Sequence, residues 1–215
     1  GFHLDAVADY ANFMKYGGQT YGVPTDGNVH IQYTRKDLID NPDNKKRFAD
    51  KFGTELKVPE TWEDNLRLQE FLMDPSKDLY GSGNLRNRAN GVTWWYMIFY
   101  SAGGFPFDDN MKPTIDTPAG QYAVDLYLQD KKVNHPEAAN WGTSQMIPRI
   151  AQGHVVSCQY WDGTCKTIAN PRQSKTVGQF YFSLVPGSKF TGKMVHRSIS
   201  SPLAAILINK YSPRK

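Results

Sequence analysis

The apolar positions of this chain change period several times along its length, and each change marks an element. Leu4, Val7, Ala8 and Ala11 recur at helical spacing, so the first 20 residues read as a helix stopped at Gly17-Gly18. Val29, Ile31 and Tyr33 then alternate with His30, Gln32 and Thr34, the period of a strand with one buried and one polar face. Residues 36–52 read as a charged surface helix interrupted at Pro42 and ended by Gly53. Thr61 caps a helix running to about Met73, with Asp64 where a capping-box acid lies. Gly81-Ser82-Gly83-Asn84 reads as loop, and GVTWWYMIFYSAGG as a buried helix that opens near Thr93 and ends at the double glycine.

Further along, Thr117 is placed to cap a helix with Pro118 in its first turn and an apolar stripe of Ala119, Tyr122, Ala123, Leu126 and Tyr127. Trp141 to Ala151 predicts another helix, with Pro148 kinking it or lying in its first turn. Residues 154–160 predict a strand, Thr164 opens a helix, Phe180 to Val185 form a strand, and residues 201–209 close the chain as an apolar strand or buried segment. Mixed helix and strand periods without an internal repeat argue for α/β or α+β architecture.

Composition narrows the function classes. With 215 residues and 40% hydrophobic content the chain can bury a core as one large domain or two small ones. No run approaches the roughly 18 apolar residues of a membrane helix, so the chain is read as not spanning a bilayer. The net charge of +4 is modest and its bases are mixed with acids, which reads as a solvated face and not a nucleic-acid patch. GFHLDAVADY has neither a basic start nor an apolar h-region, so no secretory signal is read there, and the chain is taken as a mature form or a fragment. Aromatics make up 13% of the chain, and many stand beside Gly, Asn or Asp, as rings do where they stack on sugar faces.

Catalytic and metal signatures are weak. There is no GxSxG, HExxH, P-loop or GxGxxG in a strand-turn-helix context, and the five histidines share no metal-ligand spacing with the cysteines; no cofactor and no metal are expected. A glycoside-acting enzyme would need a carboxylate pair, for which Asp108-Asp109, or Asp26 with Asp162, are the candidates. A free-standing carbohydrate-binding module is the other alternative, opposed by the helical stripes. SCQYWDGTC holds both cysteines, Cys158 and Cys165, too far apart for CxxC redox chemistry; a disulfide between strand and following helix remains open. Trp62 and Trp141 read as packing residues.

In their order, YGVPTDGNVHIQYTRKDL, VPETWEDNLRLQEFL, GVTWWYMIFYSAGG, DTPAGQYAVDLYLQ, NWGTSQMIPRIAQGHVVSCQYWDGT, FYFSLVPG and INKYSPRK resemble the extracellular solute-binding proteins of bacterial sugar ABC transporters, the group that includes maltose-binding protein. The resemblance implies an α/β, type II periplasmic-binding-protein lobe, partial, with hinge strands. Residues 1–28 would be a first-lobe remnant and hinge strand, 29–184 the second lobe, and 185–215 the return crossing. It implies capture of a carbohydrate in an interlobe cleft and delivery to ABC permease subunits, without catalysis. The protein would be periplasmic or extracellular, peripheral to the membrane, with a lipid anchor open for the intact protein. Carried across by position, the ligand contacts would be Asp26, Asn28 and His30 on the crossing strand, one of Trp94 and Trp95, Trp161 and Asp162 after the strand, and Arg197 on the return. HRSISS at residues 196–201 departs from the Gly-Gly-Trp-like run of many relatives.

Overall fold

The computed structural model describes residues 14–207, 209, 211 and 213, and of residues 24–28 and 200–205 the backbone alone. The chain divides into two compact units, one of the residues up to Val29 together with those from Ser200 onward, the other His30–Ile199. The helix expected over the first 20 residues lies outside the described residues as far as 13. Beyond that point it is replaced by a hairpin of β1 (Lys15–Tyr16) and β2 (Gln19–Thr20). Gly17 and Gly18 turn it at φ 54° and 79°, a region open to residues without Cβ, which is why the double glycine makes a hairpin where a helix stop was expected.

β3 (Gly22–Arg35) is longer than its hydrophobic alternation, because the alternating pattern marks only the part with a buried face. In the first unit its residues 22–29 pair antiparallel with β9 (Ser200–Leu207), with register shifts between Pro24 and Asp26 and between Asp26 and Asn28. Pro24 has no N–H to give the ladder, in keeping with an irregularity beside it.

In the second unit the residues of β3 from His30 onward join a sheet of order β4-β5-β3-β6, where β4 is Tyr80–Ser82, β5 is Val155–Trp161 and β6 is Phe180–Ser183. β3 is antiparallel to β5 and β6, and β4 runs parallel to β5. The segment around Gly81, read as loop from its glycines, is therefore an edge strand. A Cβ at Gly81 would meet Gln69 and Val133 Cβ atoms at 2.8 and 2.9 Å, so the glycine serves close packing of strand on helix.

The helices follow the capping signals closely. α1 (Lys36–Asp40) and α2 (Pro42–Phe52) are split at Pro42, and Gly53 closes α2 in the left-handed region at φ 66°. α3 (Trp62–Leu72) is capped by Thr61 Oγ1, which accepts from the Asp64 amide, and α5 (Pro118–Val133) by Thr117 Oγ1, which accepts from Gly120. Between them α4 (Gly91–Ser101) opens two residues before the expected Thr93. α6 (Thr143–Gln152) carries Pro148 inside it, and a short α7 (Cys165–Ile168) follows a 3-10 turn at Asp162–Thr164. A small antiparallel pair, β7 (Gly187–Ser188) and β8 (Val195–His196), precedes the return to β9.

α3 stands between two apolar clusters. Leu66 packs with Trp94, Met97, Leu126 and Tyr160, whereas Leu68 and Leu72 pack with Ile39, Phe48 and Val156. Its Asn65 and Gln69, one turn apart, face the polar stripe of the sheet. That stripe is where the sequence reading needs correcting: the polar face of β3 was expected to meet solvent or ligand, but His30, Gln32 and Thr34 are all buried. For Gln32 and Thr34 burial is tolerated because the polar groups satisfy each other. Gln32 Nε2 donates to Asn65 Oδ1 (3.0 Å), Gln159 Nε2 to Gln32 Oε1 (2.5 Å), Ser157 Oγ to Asn65 Oδ1 (2.9 Å) and Asn84 Nδ2 to Gln159 Oε1 (2.9 Å). The network ends on Asp130 of α5, whose carboxylate takes Ser82 Oγ (2.6 Å), Asn84 Nδ2 (3.0 Å) and Arg86 Nη1 (2.9 Å).

Candidate ligand-binding site

Three residues expected to touch ligand come together where β3 and β5 lie side by side. His30 and Trp161 are cross-strand partners, since the antiparallel register sets Trp161, the last residue of β5, opposite His30. Their ring centroids are 4.6 Å apart. From α4, Trp94 meets both edge-on: its ring is 5.5 Å from His30 at 82° and 5.8 Å from Trp161 at 88°. The edge-to-face arrangement places positive ring edges on negative faces, the favoured geometry of aromatic pairs. Trp94 is locked further by its indole N–H, which donates to the Gln159 carbonyl (2.9 Å). Trp94 is buried, whereas Trp161 is half-buried.

Adjacent helix residues point about 100° apart. Trp95 accordingly leaves this cluster and stacks on Phe99, centroids 4.6 Å apart at 19°. The structure thus brings Trp94 and not Trp95 to Trp161.

His30 is 2% exposed and has a defined tautomer. Its Nδ1 reaches the Ile199 carbonyl at 3.2 Å, and because a carbonyl only accepts, Nδ1 carries the proton. Nε2 is left as an acceptor, buried and with no hydrogen-bond partner among the described residues. Burial lowers the His30 pKa; the Ile199 hydrogen bond and the charge of Asp162 oppose this more weakly, so the ring is neutral at neutral pH. Asp162 is exposed at the start of the 3-10 turn after Trp161.

The backbone of the return segment closes on the same histidine. The His30 amide donates to the Ile199 carbonyl (3.2 Å), and Ser198 Oγ donates to the His30 carbonyl (2.6 Å). Arg197, one residue away, is exposed, and its guanidinium reaches the carbonyl of its own neighbour His196 at 3.4 Å. Asp26 and Asn28 belong to β3, but only their backbone is described.

Cys158 and Cys165 are both free thiols, so the disulfide held open from the sequence does not form here. Cys158 lies opposite Tyr33 in the β3–β5 ladder, and Tyr33 occupies the space beside Cys165, its hydroxyl 3.3 Å from that Sγ. Burial pushes the Cys158 thiol far above its ordinary range, which keeps it protonated and unreactive. Of the carboxylates proposed for an enzyme, Asp108 takes the backbone N–H groups of Asn110 and Lys112 with one oxygen and so serves its own turn. No group of His, Cys, Asp and Glu residues suited to a metal ion occurs among the described residues.

Comparison with solved structures decides what this architecture is. A ribitol-bound ABC transporter solute-binding protein from Agrobacterium radiobacter superposes with a TM-score of 0.76 over 98% of this chain and 52% of that one, at 19% identity. This is part of the type II periplasmic-binding-protein fold. A D-mannitol-bound solute-binding protein from Agrobacterium vitis (TM-score 0.69, 23% identity, 86% of this chain, 46% of that one) has the same fold. So does a maltose-bound protein from T. maritima (TM-score 0.72, 17% identity, 90% and 46%). Among curated proteins, a probable amino-acid ABC transporter periplasmic-binding protein from Sinorhizobium fredii is 24% identical over 136 residues, 63% of this chain and 31% of that protein. No protein-family model matches the chain. The chain spans about half the length of these solved solute-binding structures. The α/β, type II fold expected from the order of motifs is the fold found.

Tyr33 and Gln159 were not among the candidate residues, although both hold the candidates in place. The only signal for Tyr33 was its position in the apolar half of an alternating strand, which any core tyrosine shares.

Proposed function

We propose that this chain captures a neutral carbohydrate or polyol as part of the substrate-binding component of an ABC importer. The observation that carries the reading is the half-buried Trp161 at the end of β5, backed by the buried Trp94 and the neutral His30. A half-buried indole gives a flat apolar face to the C–H side of a sugar ring, and the neutral imidazole packed behind it brings no charge to the site. The type II periplasmic-binding fold supports the reading, because solved proteins of this fold carry ribitol, D-mannitol and maltose. In this reading Asp162 and Trp161 meet ligand from the loop after β5, and Asp26, Asn28 and Arg197 remain candidates from the crossing and return segments.

Capture, not turnover, is the role. Ligand contacts shift an equilibrium between open and closed forms only in proportion to their difference between the two. The closed form would then be read by a membrane permease, which places the protein outside the cytoplasmic membrane, in the periplasm or beyond.

Titration of sugars, polyols and amino acids against intrinsic tryptophan fluorescence tests the proposal. Saturable quenching or enhancement by a neutral sugar or polyol, lost in Trp161→Ala, is the expected result. Binding confined to amino acids would replace the ligand class, and hydrolysis of a glycoside would overturn capture as the function.

A further inference from the structure

Trp161 stands where the β3–β5 ladder ends. It is the final residue of β5, and past it come the exposed Asp162 and Gly163 of a single 3-10 turn, with no atoms near the position of a Gly163 Cβ. Past the end of the ladder the Cys165 amide holds the Asp162 carbonyl within the turn, and Tyr33 adds a tie to the Trp161 carbonyl from the neighbouring strand. Its hydroxyl donates to the Trp161 carbonyl at 2.7 Å and lies 3.4 Å from the Asp162 carbonyl.

Tyr33 is itself fully buried and aimed. Its ring is held edge-on by Phe182 (5.2 Å, 84°) and Phe180 (6.1 Å, 80°). With the phenol proton committed to the Trp161 carbonyl, the Cys165 thiol at 3.3 Å is left to donate to the phenol oxygen. Burial, and then the Cys165 contact, push the phenol far above its ordinary pKa, so it stays a donor across the physiological range.

We infer that Tyr33 is a positioning residue for ligand recognition: its hydroxyl clamps the Trp161–Asp162 backbone and thereby sets the angle at which the Trp161 ring meets the ligand. This rests on the capture reading above. The clamp touches no ligand; it acts through Trp161.

The test combines Tyr33→Phe and Trp161→Ala with 5-fluorotryptophan labelling. Tyr33→Phe should weaken binding of whichever sugar or polyol the parent takes by about tenfold, the scale of one buried hydrogen bond. In a Trp161→Ala background the same change should cost nothing further, within about twofold, because the two residues act as one unit. The fluorine resonance of Trp161, assigned with Trp161→Phe, should shift and broaden in Tyr33→Phe while those of Trp62 and Trp95 stay in place. Additive losses, or an unmoved Trp161 resonance, would overturn the inference. Equal movement of all tryptophan resonances with a lowered melting temperature would also overturn it, by reducing Tyr33 to a core residue. If the parent binds none of the sugars or polyols the capture reading fails, and the Trp161 resonance alone then decides whether the clamp exists.

Discussion

The hydroxyl of Ser198 donates to the carbonyl of His30 at 2.6 Å, while the amide and Nδ1 of His30 both reach the Ile199 carbonyl at 3.2 Å. These contacts tie β3 to the return segment at the edge of the second unit and fix which nitrogen of His30 is protonated. Ser198→Ala should lower stability by about 1 kcal/mol, the usual cost of a lost hydrogen bond that leaves a half-buried acceptor, measurable by urea unfolding. The same variant should not disturb the Trp94–Trp161 edge contact, read by near-ultraviolet circular dichroism.

His30 makes stability depend on pH. Because burial lowers its folded-state pKa below the ordinary 6.5, the unfolded chain takes up the proton first as pH falls. Its contribution is complete above 6.5 and is lost as pH drops from there towards the lowered folded value. His135 is lowered too, by burial and then by Arg149, so it adds a loss of the same sign. Unfolding compared at about pH 7.5 and about pH 5 should show a smaller loss in His30→Asn than in the parent. An identical pH dependence in the two proteins would contradict this.

The two tryptophans, Trp94 and Trp161, should separate on substitution. Trp94 is buried and bonded to Gln159, so Trp94→Ala should destabilise by about 3–5 kcal/mol, as removal of a large core ring does. Trp161 is half-buried, so Trp161→Ala should leave most of the stability intact while abolishing or sharply weakening ligand binding. Denaturant unfolding alongside fluorescence titration distinguishes them.

Arg86 and Asp130 form the most enclosed ion pair among the described residues, 2.9 Å apart with side chains 9% and 10% exposed. Burial raises the Asp130 pKa, and the Arg86 charge is the chief opposing influence. Arg86→Met should cost about 3–5 kcal/mol, because it strands a buried carboxylate at the end of the polar network. Thermal unfolding measures this, and a loss below about 1 kcal/mol would show that Ser82 and Asn84 suffice to hold the carboxylate.

The Thr61 and Thr117 caps give a milder and independent test. Each hydroxyl accepts from the amide three residues on, so Thr61→Ala and Thr117→Ala should each cost about 1 kcal/mol, and the double variant their sum, since they cap separate helices.

Much of this fold was legible in the sequence because its signals are local. Thr61, Thr117, Pro118, Gly53 and the Gly103-Gly104 stop act within a turn of their own residue, so helix limits followed from them with small errors at α4. The order of the motifs likewise led to the type II fold. Two features misled for the same reason. The polar side of β3 and the glycines near Gly81 look like solvent-facing strand and loop when taken alone, because nothing local announces that Asn65, Gln69 and Val133 will come down on them.

The sequence by itself determined the element types, most helix boundaries and a short set of candidate residues, because capping, periodicity and turn chemistry depend on neighbours in the chain. Only the tertiary structure decided which candidates meet. The antiparallel register sets His30 opposite Trp161, and the helical rotation of about 100° per residue turns Trp94 towards them and Trp95 away. It also placed the Tyr33 hydroxyl against the Trp161 carbonyl across a separation of 128 residues. Such contacts are products of strand pairing and helix packing, and no local pattern of residues encodes them.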